Sequence, residues 1–392
     1  MSHAVIPTLA LSVLAAFVAA LVVIRFRLPV ILAYLVAGMA VGPHTPGFVA
    51  NGEVASELAE VGIMLLMFGV GLHFSLKDLR RVWRVAVPGA VLQLTVATVL
   101  GVWLASAWGW PRAAGWIFGL SLSCASTVVL LRNLSQARLE DRPEGHLAIG
   151  WLLVEDLVCV LVLLILPTLG GLSTSGGAFP WKAAAAAVGG LALKLGVLGA
   201  LMAFAGAKGV RWLLHETVRH DSRELFTLAL VAVSVGFAFL AATWFQVSYA
   251  LGAFLAGILI NGLPISQRIR QDIQPLQDIF TVLFFISVGM LFDPAILVRR
   301  PGAVVLTTAV ILAGKALAAY GIVRVLGKDR RTAMTVAVGL SQIGEFSFIL
   351  AALGLRTGLL PAVGQQLVLA GAILSIALNP FLFKFIDRAK AA

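Results

Sequence analysis

Charge is scarce in this sequence, and acidic charge scarcest: the 392 residues include 29 Lys and Arg and 18 Asp and Glu, and only 12% are charged. With 60% apolar residues and a mean hydropathy of +1.00, that shortage excludes a soluble domain of this length and implies a polytopic α-helical membrane protein. Cysteine is limited to Cys124 and Cys159, both inside apolar segments. They have no zinc-binding spacing and say nothing about disulfides or redox compartment. There is no phosphate-binding glycine loop, so nothing suggests ATP-driven transport. Heptad arrays, low-complexity tails and a soluble domain are also lacking. The first apolar segment, Ala4–Ile24, has no basic leader and no small-residue cleavage site, and Arg25 and Arg27 follow it. The expectation is a retained helix with its N-terminus outside.

Further apolar segments follow at Leu28–Gly42, Val54–His73, Val85–Trp108, Arg112–Leu134 and His146–Pro167. After a Gly- and Ser-rich outer loop, Gly170–Pro180, come Trp181–Ala205, Arg223–Phe245, Val247–Gly262, Pro275–Phe292, Gly302–Leu326, Thr332–Leu355 and Ala362–Phe385. By the length of a bilayer-crossing helix this is about thirteen spans. With the N-terminus outside, the basic runs Lys77/Arg80/Arg81/Arg84, Arg132/Arg138/Arg142, Lys208/Arg211/Arg219/Arg223, Arg268/Arg270, Lys328/Arg330/Arg331 and Lys384/Arg388/Lys390 all fall inside. About four-fifths of the basic residues then lie on one side, as the positive-inside rule requires. The net charge of +11 needs no nucleic acid or other anionic partner.

Glu155 and Asp156 stand near the middle of His146–Pro167. An ionised carboxylate there costs roughly 2.5–3.5 kcal/mol, so the pair must face protein or water, and such acids usually mark ion or proton pathways. Neighbours in a helix are about 100° apart, so the two acids line different sides of a polar crevice and titrate as a coupled unit. A buried carboxylate holds either a proton or a small hard cation. Lys315, also mid-span, needs an anionic partner, and Asp156 is the expected one; the alternative is snorkelling. Lys194 reads as an interface or snorkelling lysine, and Glu57 and Glu60 as a solvated helix start or an acidic vestibule.

Two spans are interrupted by small polar residues, Ser121–Thr127 and Gly339–Glu345. At bilayer depth such stretches support broken helices that line a cavity. One is the fifth span and the other the twelfth. Taking 1–167 as a first six-helix repeat, 181–205 as a linker helix and 223–386 as a second repeat makes them equivalent members of inverted halves. Their breaks are expected to pack together near Asp156, with Gln342 and Glu345 as supporting groups, Thr127 at the ion and Ser126 behind it.

Several stretches carry a family resemblance: LPVILAYLVAGMAVGP (28–43), GIMLLMFGVGLHFSLKDL (62–79), SLSCASTVVLLRNL (121–134), LLVEDLVCVLVLL (152–164), LGAFLAGILI (251–260), LFFISVGMLFD (283–293) and GLSQIGEFSFIL (339–350). The chain resembles the Kef/YbaL branch of the monovalent cation:proton antiporters over nearly its whole length. The resemblance implies the sodium/proton-antiporter fold: an all-α polytopic protein with a core domain of two crossed broken helices, a scaffold domain forming a homodimer, and an elevator-like cycle. It also implies that Asp156 binds the monovalent cation and carries the proton, that Glu155 occupies the variable position before it, that Lys315 pairs with Asp156, and that Ser126 and Thr127 are the polar pair of the first break. Members usually continue into a cytoplasmic nucleotide-binding regulatory domain, whereas this sequence stops at Ala392. Gating by nucleotide or glutathione therefore does not carry over. The Glu-Asp pair also departs from the Gln-Asp of the glutathione-gated potassium systems.

The expectation is a non-enzymatic secondary antiporter in a bacterial inner membrane, C-terminus cytoplasmic, exchanging K⁺ or Na⁺ for protons. K⁺ is favoured by resemblance, and no cofactor beyond the transported ions is expected. The alternatives are a ligand-gated potassium efflux channel without obligatory proton coupling and an organic-anion carrier. The central carboxylates argue against the carrier.

Overall fold

The computed structural model of the chain describes residues 5–26, 28–45, 52–73, 76–139, 142–173, 189–190, 193–194, 196–201, 204, 207–220, 222–245, 249–261 and 266–388. All regular structure among them is helical, as lipid requires: only a helix or a closed barrel satisfies its main-chain polar groups without water. The helices are α1 (Val5–Arg25), α2 (Val30–Val41), α3 (Gly52–His73), α4 (Leu76–Ala107), α5 (Arg112–Ser123), α6 (Thr127–Gln136), α7 (Pro143–Ser173), α8 (Ala207–Arg219), α9 (Arg223–Phe245), α10 (Tyr249–Asn261), α11 (Ser266–Met290), α12 (Ile296–Arg299), α13 (Pro301–Ala309), α14 (Lys315–Val325), α15 (Arg330–Gly339), α16 (Glu345–Arg356) and α17 (Ala362–Arg388). A π-helical segment, Val310–Gly314, joins α13 to α14. Seven helices are long and apolar enough to cross a membrane, and three shorter apolar helices accompany them among the described residues.

Some boundaries differ from the hydropathy reading. Helix α4 starts at Leu76 rather than Val85, so the run Lys77/Arg80/Arg81/Arg84 lies on a helix and not in a loop. Helix α11 starts at Ser266 and carries Pro275 inside it. In both cases polar residues extend a helix past the point where apolar content falls, because helix propensity does not need lipid. Residues Gly170–Ser173, expected in a loop, end α7. Most of Trp181–Ala205 lies outside the described residues. Lys194 is exposed, as are Glu57 and Glu60 on α3.

The chain forms two compact units, each drawing on both sequence halves. The first comprises Met1–Ala20, Tyr34–Ser75 and Ser175–Leu291. Its helices meet through small residues. A Cβ on Gly71 would lie 2.9 Å from the Cα of Gly257, and one on Gly257 would lie 2.2 Å from the Phe68 carbonyl. Backbones at that distance gain van der Waals contact that larger side chains would prevent, the usual way membrane helices associate. The Gln277 amide spans the same unit, donating Nε2–H to the Leu65 carbonyl at 3.2 Å.

The second unit comprises Leu21–Ala33, Leu76–Thr174 and Phe292–Ala392, and it contains every residue singled out in mid-membrane except Lys194. Its core packs Trp151, Leu130, Leu134, Leu152, Val336 and Leu340. Trp151 fills the space over Gly89 of α4, where a Cβ would lie 2.1 Å from the indole ring. At one end Glu144, in the first turn of α7, pairs with Arg331 at 3.0 Å. Nearby, Asp329 caps α15: its carboxylate accepts from the Arg331 and Thr332 amides at 3.1 and 3.2 Å and from the Thr332 hydroxyl at 2.5 Å. The hydroxyl above all, with those amides, holds the Asp329 carboxyl below the usual range. Because the folded state lowers this pKa, the cap is intact at neutral pH and is lost only as pH falls below the ordinary aspartate value. Asp329→Ala should cost about 1 kcal/mol. A thermal unfolding series in detergent checks this, and the difference from wild type should vanish in strong acid.

Candidate functional site

Both interruptions break their helices, over shorter stretches than the sequence suggested. The first spans 124–126, with Ser121–Ser123 still in α5 and Thr127 already opening α6. The second spans 340–344, between α15 and α16. Hydroxyl side chains that bond back to their own helix explain the difference: Ser121 and Ser123 donate to the carbonyls of Ile117 and Leu120, at 2.8 and 2.7 Å. Ser126 caps α6, accepting from Val129 N at 3.4 Å.

The breaks lie directly against each other. The Gln342 carboxamide pairs with the Ser126 residue at both main-chain groups, accepting from its N–H at 2.9 Å and donating to its carbonyl at 3.1 Å. Gly344 N–H and the Ser347 hydroxyl both donate to the Cys124 carbonyl, each at 3.3 Å. Gly344 has an extended backbone that any residue adopts, so its absent side chain is a matter of space. A Cβ there would stand 2.5 Å from the Cα of Ser126. Cys124 is also disulfide-bonded to Cys159 on α7, with 7.2 Å between their Cα atoms, a link that the sequence reading left open.

The Glu155/Asp156 helix meets the first break. Ala125 N–H donates to Glu155 Oε2 at 3.0 Å, and the Thr127 hydroxyl donates to Asp156 Oδ2 at 3.0 Å. Glu155, Asp156 and Glu345 are 0%, 2% and 1% exposed, and Lys315 is 0% exposed. Glu155 Oε1, Asp156 Oδ1 and both Glu345 oxygens have no direct hydrogen-bond partner. The Ser126 hydroxyl and the N–H of Glu345 itself face the Glu345 carboxylate, and the charges acting on Asp156 are Glu345 and then Glu155.

Lys315 corrects one expectation. Its amine donates to the Gln342 carbonyl at 2.9 Å, and the carboxylate whose charge acts on it is Glu155 rather than Asp156, without a direct ion pair. The cause is local. The π segment just before Lys315 shifts the angular register of the helix, and a free carbonyl of the second break lies within reach. Removing one partner of a buried pair leaves an uncompensated charge, which costs about 3–5 kcal/mol, whereas removing both costs much less. Lys315→Met should therefore destabilise the protein strongly, and Lys315→Met with Glu155→Gln should regain most of the loss. Unfolding midpoints of the two single variants and the double variant check this. Equal losses in Lys315→Met and the double variant would mean that the two groups do not share an environment.

Three residues beside the site escaped the sequence reading: Gln93, Asn133 and Asn379, all buried. The available signal was a single carboxamide inside an apolar span, which lipid disfavours as it does charge.

The profile of a family described as "Sodium/hydrogen exchanger, transmembrane" matches residues 13–386. A protein described as a candidate cation/proton antiporter, YbaL of Escherichia coli, is 50% identical over 390 residues, covering 99% of this chain and 70% of that protein. K(+) efflux antiporter 4 of Arabidopsis thaliana is 31% identical over 360 residues, covering 91% of this chain and 60% of that protein. The structure of the sodium proton antiporter MjNhaP1 from Methanocaldococcus jannaschii superposes with a TM-score of 0.73 at 14% identity, covering 98% of each chain. At that identity the likeness establishes the fold.

Proposed function

Because the chain belongs to the transmembrane sodium/hydrogen exchanger family, we propose that it exchanges a monovalent cation for protons at the crossing of its two broken helices. One observation carries the reading. Three fully buried carboxylates gather at the crossing, four of their oxygens without a direct hydrogen-bond partner, and the one buried lysine among the described residues acts on Glu155. A buried charge must be paired or neutralised. With Lys315 set against Glu155, the remaining negative charge of Asp156 and Glu345 calls for protons or for a cation. A site that is satisfied by either species and costly to leave empty makes exchange obligatory.

Asp156 is the central ligand and proton carrier, with the Thr127 hydroxyl on its other oxygen and Ser126 behind it. Glu155 and Lys315 balance each other beside it. Glu345 supplies further negative charge at the start of α16, where the helix dipole favours it. Gln342 holds the two breaks together. K⁺ is favoured over Na⁺ because the Arabidopsis relative is a K(+) efflux antiporter. The second compact unit, which holds the whole site, moves as the carrier in an elevator cycle, and the first forms the scaffold of a homodimer. The placement of the basic runs supports an N-out, C-in orientation in a bacterial inner membrane.

Proteoliposome flux tests the reading. A gradient of K⁺ or Na⁺ should drive protons in the opposite direction, and a pH gradient should drive cation uptake. Cation flux that ignores the pH gradient would instead support a channel.

A further inference from the structure

The half-helices Arg112–Ser123 and Arg330–Gly339 both end at the crossing, where their last carbonyls lose the regular helical donor; the Val338 carbonyl keeps a turn bond from Ser341 N–H at 3.2 Å and one from its hydroxyl at 2.8 Å. At each end a buried carboxamide from a neighbouring helix adds a donor to these carbonyls. Gln93 of α4, 0% exposed, donates Nε2–H to the Ser123 carbonyl at 3.4 Å, and its Oε1 accepts Trp151 Nε1–H at 3.3 Å. Asn379 of α17, also 0% exposed, donates Nδ2–H to the Val338 carbonyl at 2.7 Å and to Ser341 at its carbonyl (3.4 Å) and hydroxyl (3.0 Å). Its Oδ1 accepts Asn133 Nδ2–H at 2.6 Å.

The two arrangements have the same parts: a helix end, a carboxamide that donates to it, and a second side chain that fixes the carboxamide oxygen. Each second side chain belongs to a helix of the site. Trp151 lies one turn before Glu155 on α7, and Asn133 lies on α6, which opens with Thr127. A cation is the usual partner for a helix C-terminus, and Lys315 plays that part at the Gln342 carbonyl. Carboxamides give donors without formal charge, so they leave the balance between three carboxylates and one lysine untouched.

We infer that Gln93 and Asn379 are positioning residues for cation exchange, uncharged caps that hold both half-helix ends in register with the helix bearing Glu155 and Asp156. The inference rests on the exchange function proposed above. Loss of a cap lets the backbone at a break shift, and the effect falls first on cation affinity.

The test is cation-dependent flux in proteoliposomes containing the full chain. Asn379→Leu and Gln93→Leu should each raise the apparent KM for the cation about three- to ten-fold, the equivalent of one or two hydrogen bonds, with maximal rate changed less. Asn379→Ser, which retains a donor, should recover part of the affinity. If Asn379→Leu does not fold, Asn133→Ala carries the same readout by freeing the Asn379 oxygen. Unchanged KM in the Leu variants, whatever happens to their melting temperature, overturns the inference and leaves the carboxamides as packing residues. Should wild-type protein show no exchange at all, the functional reading fails separately. Amide hydrogen exchange over 338–347 still reads the cap then: faster exchange in Asn379→Leu upholds it, and an unchanged rate overturns it.

Discussion

Asp156→Asn is expected to fold and to exchange no cation for protons, its flux falling to that of empty liposomes. The asparagine oxygen can still accept the Thr127 hydroxyl that meets Asp156 Oδ2 at 3.0 Å, so packing is kept. The stability change should stay within about 1 kcal/mol. On the proposed reading, what disappears is the central carboxylate that carries the proton and neutralises the cation. Glu345 lacks the Thr127 contact, and Glu155 is engaged by Ala125 N–H and acted on by Lys315, so neither is expected to take over the role. Purified, folded Asp156→Asn protein with wild-type flux would place the transport site elsewhere.

The second large effect concerns a residue with no chemistry. Gly344→Ala should reduce exchange about ten-fold or more and destabilise the protein by about 1–3 kcal/mol, the usual cost of overpacking. The added Cβ would meet the Cα, Cβ and N of Ser126 at 2.5, 2.6 and 2.9 Å, so the backbone itself must retreat. The same movement breaks the Gln342 pairing with Ser126 and shifts Thr127 away from Asp156. Flux and melting temperature measured on one preparation check both halves. A Gly344→Ala protein that matches wild type in both would mean that the breaks have room between them.

The residues that conflict with lipid were the legible ones. Glu155, Asp156, Lys315 and Glu345 each carry a charge in an apolar span, and the structure brings all four to the crossing. The polar small residues of 121–127 and 339–345 also announced a helix break. Its extent was not legible, because Ser121 and Ser123 bond back to their own helix and leave it intact. The partner of Lys315 was misread for a related reason. Charge pairing suggests an acid but does not say which of two adjacent acids a side chain reaches, and the π segment that sets the angle has an ordinary apolar sequence, VILAG. Gln93, Asn133 and Asn379 were passed over because a neutral carboxamide gives a weaker signal than a charge, although each is as buried as the acids.

The Cys124–Cys159 bond gives the site an unequal build. It closes the chain into a covalent ring that contains the first break, all of α6, and the part of α7 bearing both Glu155 and Asp156. Within that ring the contacts Ala125–Glu155 and Thr127–Asp156 join parts of one loop whose ends cannot separate. The second break stands outside the ring and meets it through hydrogen bonds from Gln342, Gly344 and Ser347 and through non-covalent packing such as that of Leu340 with Leu130. The site is therefore a closed hoop with a detachable edge. On the proposed reading, a displacement between the two breaks is expected along this non-covalent seam before the bridged first break parts from the two carboxylates of α7.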